Sequence, residues 1–296
     1  MAAHDTATLD RKSPSRRTTV PKNKGVRSAG KWAHLPLVLA TLLLLFPFYW
    51  TVVMATNTNA DYYATPPKVV PGTHLLENIG SVLTSINFFG SMANTAIVAV
   101  SVTLLVLFFD SLAAFAFAKY DFPAKKFLFG LMLAFFMVPA QLSTVPQFIT
   151  MIQLGWVGTL QALIIPAAAN AFGIFWMRQY ISTSIPDEIL DAAVVDGCGF
   201  FRQYLFVVLP VIRPGLAFLG IYTFVQAWND YVWPLIVLIN PDMLTLQVAL
   251  SQLNATRSTD YAVVMAGAVL AIIPLVVVFL AFSKQFVADS VKGAVR

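Results

Sequence analysis

Two stretches of this sequence carry side chains able to do more than pack. The first, SIPDEILDAAVVDGCGFFRQYLFVVLPVIRPG from Ser184 to Gly215, gathers Asp187, Glu188, Asp191 and Asp196 with Gly197 and Gly199 between two apolar runs. Four carboxylates in a helix-sized segment that lacks a base suit docking against donors or cations on another protein. They do not suit a helix lying on lipid, which uses Lys and Arg against an anionic leaflet. The second, QAWNDYVWP, sets Gln226, Trp228, Asn229 and Asp230 beside Tyr231 and Trp233 inside an apolar run. Amides and carboxylates hydrogen-bond sugar hydroxyls, and aromatic rings cover the apolar faces of sugar rings. A belt of aromatics at the membrane surface would use the same rings without a ligand, and the sequence leaves both uses open. Asn94 and Asn170 are further polar candidates in apolar surroundings. Asp110, in VLFFDSLAAFAF, lies nine residues before Lys119, about 13 Å along a helix axis. A charge deep in a membrane costs about 2.5–3.5 kcal/mol, so Asp110 must be paired, protonated or facing water. A tie to a neighbouring helix is its plainer role and contact with a substrate the other.

Several chemistries are excluded. The histidines His4, His34 and His74 are scattered, Cys198 is the single cysteine, and no spacing fits a zinc site or a disulfide. No nucleophile–base constellation is visible. The phosphate-loop pattern G-x-x-x-x-G-K-[ST] is missing, so ATP hydrolysis by that route needs another chain.

The elements that position these residues are membrane spans. Of 296 residues 58% are hydrophobic and 11% charged, against about 25% charged in soluble domains, so much of the surface must meet lipid. Six segments reach the roughly 20 apolar residues of a spanning helix: His34–Thr56, Phe89–Ala118, Phe127–Met151, Gly158–Met177, Gly215–Ile239 and Tyr261–Phe282. Pro139 and Pro146 in MVPAQLSTVPQF predict a kink or break in the third. With these spans, 17 of the 19 basic residues fall on one side, and only Lys68 and Arg257 fall on the other. Both termini are therefore expected in the cytoplasm. The net charge of +5 is a topology signal and not a nucleic-acid footprint. Residues 1–33 read as a basic, disordered cytoplasmic tail, residues 34–286 as the membrane domain and residues 287–296 as a second tail. The first span is wider than the roughly 7–15-residue apolar core of a signal peptide and reads as a retained anchor. The long outer loop after it predicts one short helix near Leu75–Leu83.

Within residues 184–214 the spacing predicts a helix, a glycine turn and a second helix. Pro186 suits a first turn, Ser184 and Asp187 have capping-box spacing, and Asp187 and Glu188 favour the positive end of the helix dipole. Ile185, Ile189, Leu190, Ala193 and Val194 form one face. Gly197 is placed to end the helix at positive φ, and a helix over Phe200–Val208 leads to Pro210 and Pro214.

DAAVVDGCGFFRQYLFVVLPVIRPG resembles the cytoplasmic EAA motif of binding-protein-dependent ABC importer permeases. Asp191, Ala192, Ala193, Asp196 and Gly197 take its leading positions, Phe201 follows in the aromatic stretch, and Leu209, Pro210 and Pro214 take its trailing positions. Asp191 replaces the usual glutamate and Cys198 the usual alanine. NTAIVAV, FAFAKYDFPAKK, WNDYVWPLIVL and FVADSVKGAVR are similar to the carbohydrate branch, the maltose-type second permease. The resemblance implies an all-α membrane fold of six transmembrane helices with a cytoplasmic coupling helix, the type I ABC importer permease fold, in a bacterial inner membrane. It implies a heterodimer with a second permease subunit, a separate ATPase dimer using ATP and Mg, and an extracytoplasmic solute-binding protein that delivers a sugar. The chain itself would hold no cofactor. By resemblance the helix of residues Asp187 to Asp196 seats in a cleft of the ATPase, and small Ala192 and Ala193 allow close approach. Gln226, Trp228, Asn229, Asp230, Asn94 and Asp110 are the candidates for the translocation path. Three rivals are weighed: a permease for a phosphorylated polyol, an ion-coupled secondary transporter, and a membrane-embedded transferase. Anionic cargo favours Lys or Arg within the spans, and none lies there. A secondary transporter favours internal repeats, and residues 34–151 and 158–286 show no convincing similarity.

Overall fold

The computed structural model describes the backbone of residues 34–254 and 259–293 and the side chains of residues 34–254 and 259–281. The tail of residues 1–33, Arg257 and Arg296 lie outside the described residues, as do the side chains of Lys284 and Lys292. Among the described residues every regular element is helical: α1 (His34–Thr56), α2 (Asn59–Tyr62), α3 (Leu75–Ser85), α4 (Phe88–Lys119), α5 (Lys125–Phe136), α6 (Thr144–Gln153), α7 (Gln161–Ile164), α8 (Ala171–Ser184), α9 (Asp187–Val195), α10 (Phe200–Arg202), α11 (Leu209–Val211), α12 (Arg213–Asn229), α13 (Val232–Val237), α14 (Leu246–Gln252) and α15 (Tyr261–Gly293). A π-helical stretch, Gln203–Val208, joins α10 to α11.

The chain divides into two compact units, Met1–Pro47 and Phe48–Arg296, with the boundary inside α1 at Pro47. In the first unit the described residues are exposed all round, including leucines and Phe46. Such a surface suits a helix in lipid, where every backbone bond must be made within the helix.

In the second unit α4 is the axis. Its 32 residues make a rod of about 48 Å, longer than the roughly 30 Å hydrocarbon layer. It packs chiefly on α12 and α8. One apolar cluster joins Val106 and Phe115 of α4 to Met177 and Ile181 of α8, Tyr204, Val208 and Leu219. A second joins Ala99 of α4 to Val82, Trp228, Leu246 and Ala266.

Three predicted spans, α1, α4 and α15, are single helices long and apolar enough to cross a membrane. Helix α15 continues to Gly293, past the expected end of its span. The third segment breaks as predicted: α5 and the run Ala140–Gln153 meet at 93°. Pro139 lacks an N–H and disfavours a helical Val138, whereas Pro146 is accommodated in the first turn of α6. The fourth differs from the single helix expected. Only α7 and α8 are helical, with Pro166 between them and Asn170 starting α8 in an extended conformation. The fifth is α12 and α13, interrupted at Asp230 and Tyr231. The short helix expected near Leu75–Leu83 is α3, fastened by Asn78, whose Nδ2 donates to the carbonyls of Ala55 and Asn57 at 2.9 Å each. In the same loop Lys68, 2.8 Å from Asp61, and the capping Thr58 hold the Asp61 carboxyl down to about 2. Because the folded value is depressed, this cap persists at ordinary pH and is lost only as pH falls towards 2.

Candidate functional site

Helix α9 begins after Pro186, which stands extended as its N-cap with no side-chain cap bond. The Ser184–Asp187 capping box is therefore not formed. Ser184 closes α8, and the Asp187 carboxylate turns instead to Lys119, whose Nζ donates to its Oδ1 and to the Ile185 carbonyl, each at 2.6 Å. A charge-assisted bond to an ammonium outweighs a neutral cap. At the other end the N–H of Gly197 donates to the Val194 carbonyl (2.9 Å) and that of Cys198 to the Ala193 carbonyl (2.8 Å). This paired closure requires the left-handed residue that Gly197, at φ +77°, supplies.

The faces of α9 differ from the expected ones. Leu190 and Ala193 point into the protein, and Ile189 and Val194 point out with Asp187, Glu188, Asp191, Ala192 and Asp196. Ala193 is thus buried while Ala192 stays exposed. Val195 and Phe201, 87% and 64% exposed, stand beside the acids. Large apolar side chains rimmed by charge are the mark of an interaction surface, for a protein or for a membrane.

Behind this surface the loop is bolted to α4. Tyr120 Oη donates to Gln203 Oε1 (2.7 Å), and Gln203 Nε2 donates to the Cys198 carbonyl (2.9 Å). Ser111 Oγ and Tyr204 Oη share a buried hydrogen bond of 2.7 Å, and Ser111 Oγ also lies close to the Leu107 carbonyl. Phe115 stacks on Phe200 with centroids 5.1 Å apart. Desolvation pushes the Tyr120 hydroxyl pKa up. Leu209 is half-buried, Pro210 is exposed, and Pro214 sits in the first turn of α12 where the chain bends by 82°.

The other candidates divide. Gln226, Asn229 and Asp230 line a cavity of about 640 Å³ between α4, α12 and the broken fourth segment, together with Asn170, Tyr222 and Thr245. Val98, Val102 and Val106 of α4 form its apolar wall. The Asp230 carboxylate faces the backbone amides of Trp233 and Tyr231 at the interruption between α12 and α13. The Thr245 hydroxyl, in a residue 3% exposed, has no protein partner. Trp228 corrects its expectation: it is buried away from the cavity, stacks on Phe224 at 5.6 Å and donates from Nε1 to the Ala271 carbonyl at 3.3 Å. Asn94 is a tie as well, its Nδ2 donating to the carbonyls of Asp242 (2.9 Å) and Leu244 (3.1 Å). Asp110, fully buried, accepts from the Asn170 N–H at 3.1 Å, the plainer of its two expected roles. Asn170 Oδ1 in turn accepts from the Gly173 N–H at 2.8 Å, which caps α8.

Residues 110–289 match the family described as the inner membrane component of binding-protein-dependent transport systems. The chain belongs to this family. The permease is 34% identical over 227 residues to the arabinooligosaccharides transport system permease protein AraQ of Halalkalibacterium halodurans, covering 76% of this chain and 81% of that one. It is 36% identical over 263 residues to the lactose transport system permease protein LacG of Rhizobium radiobacter, covering 88% and 94%. It is 32% identical over 264 residues to the sn-glycerol-3-phosphate transport system permease protein UgpE of Escherichia coli, covering 86% and 94%. In fold the permease resembles a chain from the crystal structure of a bacterial ABC transporter involved in the import of the acidic polysaccharide alginate. The TM-score is 0.76 with 24% identity, over 86% of this chain and 95% of that one. The permease therefore has the type I ABC importer permease fold and is a multi-pass component of an inner membrane.

Lys119, Tyr120, Gln203, Tyr204 and Thr245 escaped the sequence reading. The basic residue ending α4 was visible only as a topology marker, because its partner Asp187 lies 68 residues away.

Proposed function

We propose that this permease is one of two membrane subunits of an ATP-driven importer that moves an uncharged sugar or oligosaccharide from an extracytoplasmic binding protein into the cytoplasm. The observation that carries the cargo class is the cavity of about 640 Å³, within the roughly 300–1,000 Å³ usual for small-molecule sites. Its polar lining consists of amides, hydroxyls and one carboxylate, with no Lys, Arg or His among the lining residues. Hydroxyls are served by such groups, and an anionic cargo such as a phosphorylated polyol favours cations instead. The lactose and arabino-oligosaccharide relatives point the same way.

Energy enters through the loop of residues 184–214. A separate ATPase dimer hydrolyses ATP with Mg, because this chain carries no phosphate loop, and α9 docks in a cleft of it. The exposed acids with Val195 and Phe201 support that partnership. Both termini lie in the cytoplasm on the asymmetry of basic residues.

Two measurements test this proposal. Reporter fusions at Lys125, Cys198 and the C-terminus should read cytoplasmic, and fusions near Lys68 and Asn254 external; an external signal at Cys198 would remove the docking assignment. Asn229→Ala and Asp230→Ala should cut uptake of a neutral disaccharide about three- to tenfold each, the effect of one lost hydrogen bond, with complex assembly unchanged. Wild-type uptake by both variants would return this segment to the aromatic-belt role.

A further inference from the structure

A second cavity, of about 530 Å³, lies between α12, α14 and α15 and shares Asn229 and Tyr231 with the first. We propose that it is an outer subsite for the same uncharged sugar chain, so that the cargo spans at least two sugar units. This rests on the proposed function above and adds a second station to it.

Three observations carry the inference. First, α14 presents a polar edge to the outer cavity. Gln247 and Ser251, four residues apart, share one side of this helix, and Asn254 continues it. Ser251 Oγ donates to the Val248 carbonyl at 2.7 Å, which leaves its oxygen free to accept from a sugar hydroxyl. The opposite wall is apolar, with Val264, Ala268, Ala271, Ile272 and Leu275 of α15, and suits the apolar face of a sugar ring.

Second, the two cavities meet at an adjustable junction. Asn229 is held by its own helix, its Nδ2 donating to the Val225 carbonyl at 2.9 Å. Its Oδ1 accepts only a long bond of 3.5 Å from Gln247 Nε2. A contact at that limit is readily exchanged for a sugar hydroxyl, so the pair can part around a passing chain and serve it on both sides.

Third, the segment that begins α14 faces both chambers. Thr245 lines the inner cavity with a buried hydroxyl that has no protein partner, and Gln247, two residues on, lines the outer one. A buried, unpartnered hydroxyl is rare unless a ligand or water meets it. Both volumes fall within the range of small-molecule sites, and no cation lines either.

The test uses the full complex, with partner subunit, ATPase and binding protein, in proteoliposomes. The probes are neutral mono-, di- and trisaccharides, with glycerol 3-phosphate as the anionic control. Wild-type complex is expected to take up di- or trisaccharide. Gln247→Ala should raise the KM for that probe about three- to tenfold, the loss of one hydrogen bond, with the maximal rate near normal. Ser251→Cys should react with a membrane-impermeant thiol reagent added on the binding-protein side, and saturating saccharide should slow the reaction; wild type, whose only cysteine is Cys198, is the blank. Uptake of glycerol 3-phosphate alone would overturn the proposed function itself. Uptake restricted to monosaccharides would leave that function standing and overturn the outer subsite. An unreactive Ser251→Cys, a reaction that saccharide does not slow, or an unchanged KM in Gln247→Ala would overturn it equally.

Discussion

Gly173→Val is expected to leave little folded permease in the membrane. A Cβ built on Gly173 would stand 2.9 Å from Asp110 Cγ and closer still to Oδ2. The obstructing atoms belong to a side chain with no exposed surface, anchored to the Asn170 N–H. Neither helix can yield, because α4 and α8 pack along their shared length. Overpacking a tight contact costs about 1–3 kcal/mol, and valine adds two methyls to the clash. Gly173→Ala should be milder, lowering the detergent melting temperature of the complex by several degrees. The double variant Asp110→Ala, Gly173→Ala should regain part of that loss, since the obstruction is gone. It should not regain all, because the Asn170 N–H is left without its acceptor at a cost of about 1–3 kcal/mol. A wild-type melting temperature for Gly173→Ala would show that the α4–α8 contact is looser than its geometry implies.

Substitution of Gly197 should separate docking from membrane assembly. No atom lies within 4 Å of a Cβ built there, so any defect comes from backbone strain and not from a collision. Left-handed backbone costs an ordinary L-residue about 1–2 kcal/mol, and asparagine tolerates it best. The series should therefore run Asn mild, Ala intermediate and Val severe. Gly197→Val should lower ATPase co-purification and binding-protein-stimulated ATP hydrolysis about tenfold or more, the factor that cost implies. Asp191→Lys, at an exposed position on the same helix, should weaken recovery of the ATPase by reversing the charge offered to it. In both variants the two permease subunits should remain paired. Full recovery and full stimulation in Gly197→Val and Asp191→Lys together would remove the coupling role from this loop.

What the sequence could show followed from local rules. The spans α1, α4 and α15, the break at Pro139 and the reversal at Gly197 each depend on neighbours within a few residues, so composition and proline or glycine placement expose them. The faces of the helices were hidden for a physical reason. In lipid the buried and exposed sides are equally apolar, so no periodicity tells Trp228, turned inward, from Tyr222, at the cavity. On α9 the expectation failed for Ile189 and Val194, which are apolar and yet stay exposed. The ties Lys119–Asp187, Tyr120–Gln203 and Ser111–Tyr204 bridge 68, 83 and 93 residues, and no local pattern encodes such pairings. The broken fourth segment had a usable signal in Pro166, which apolar composition alone outweighed.

The long α4 has a mechanical consequence. It is gripped at one end by the loop through Lys119, pinned to α8 at Asp110, and lined along the inner cavity from Val106 to Val98. From the grip to the pin is about 13 Å and from the pin to Val98 about 18 Å along the axis. A stiff rod held this way ties the loop of residues 184–214 to the cavity wall through one continuous element. The arm from Asp110 to Val98 is about 1.3 times the arm from Lys119 to Asp110. The buried carboxylate of Asp110 fixes α4 against α8 between those two ends.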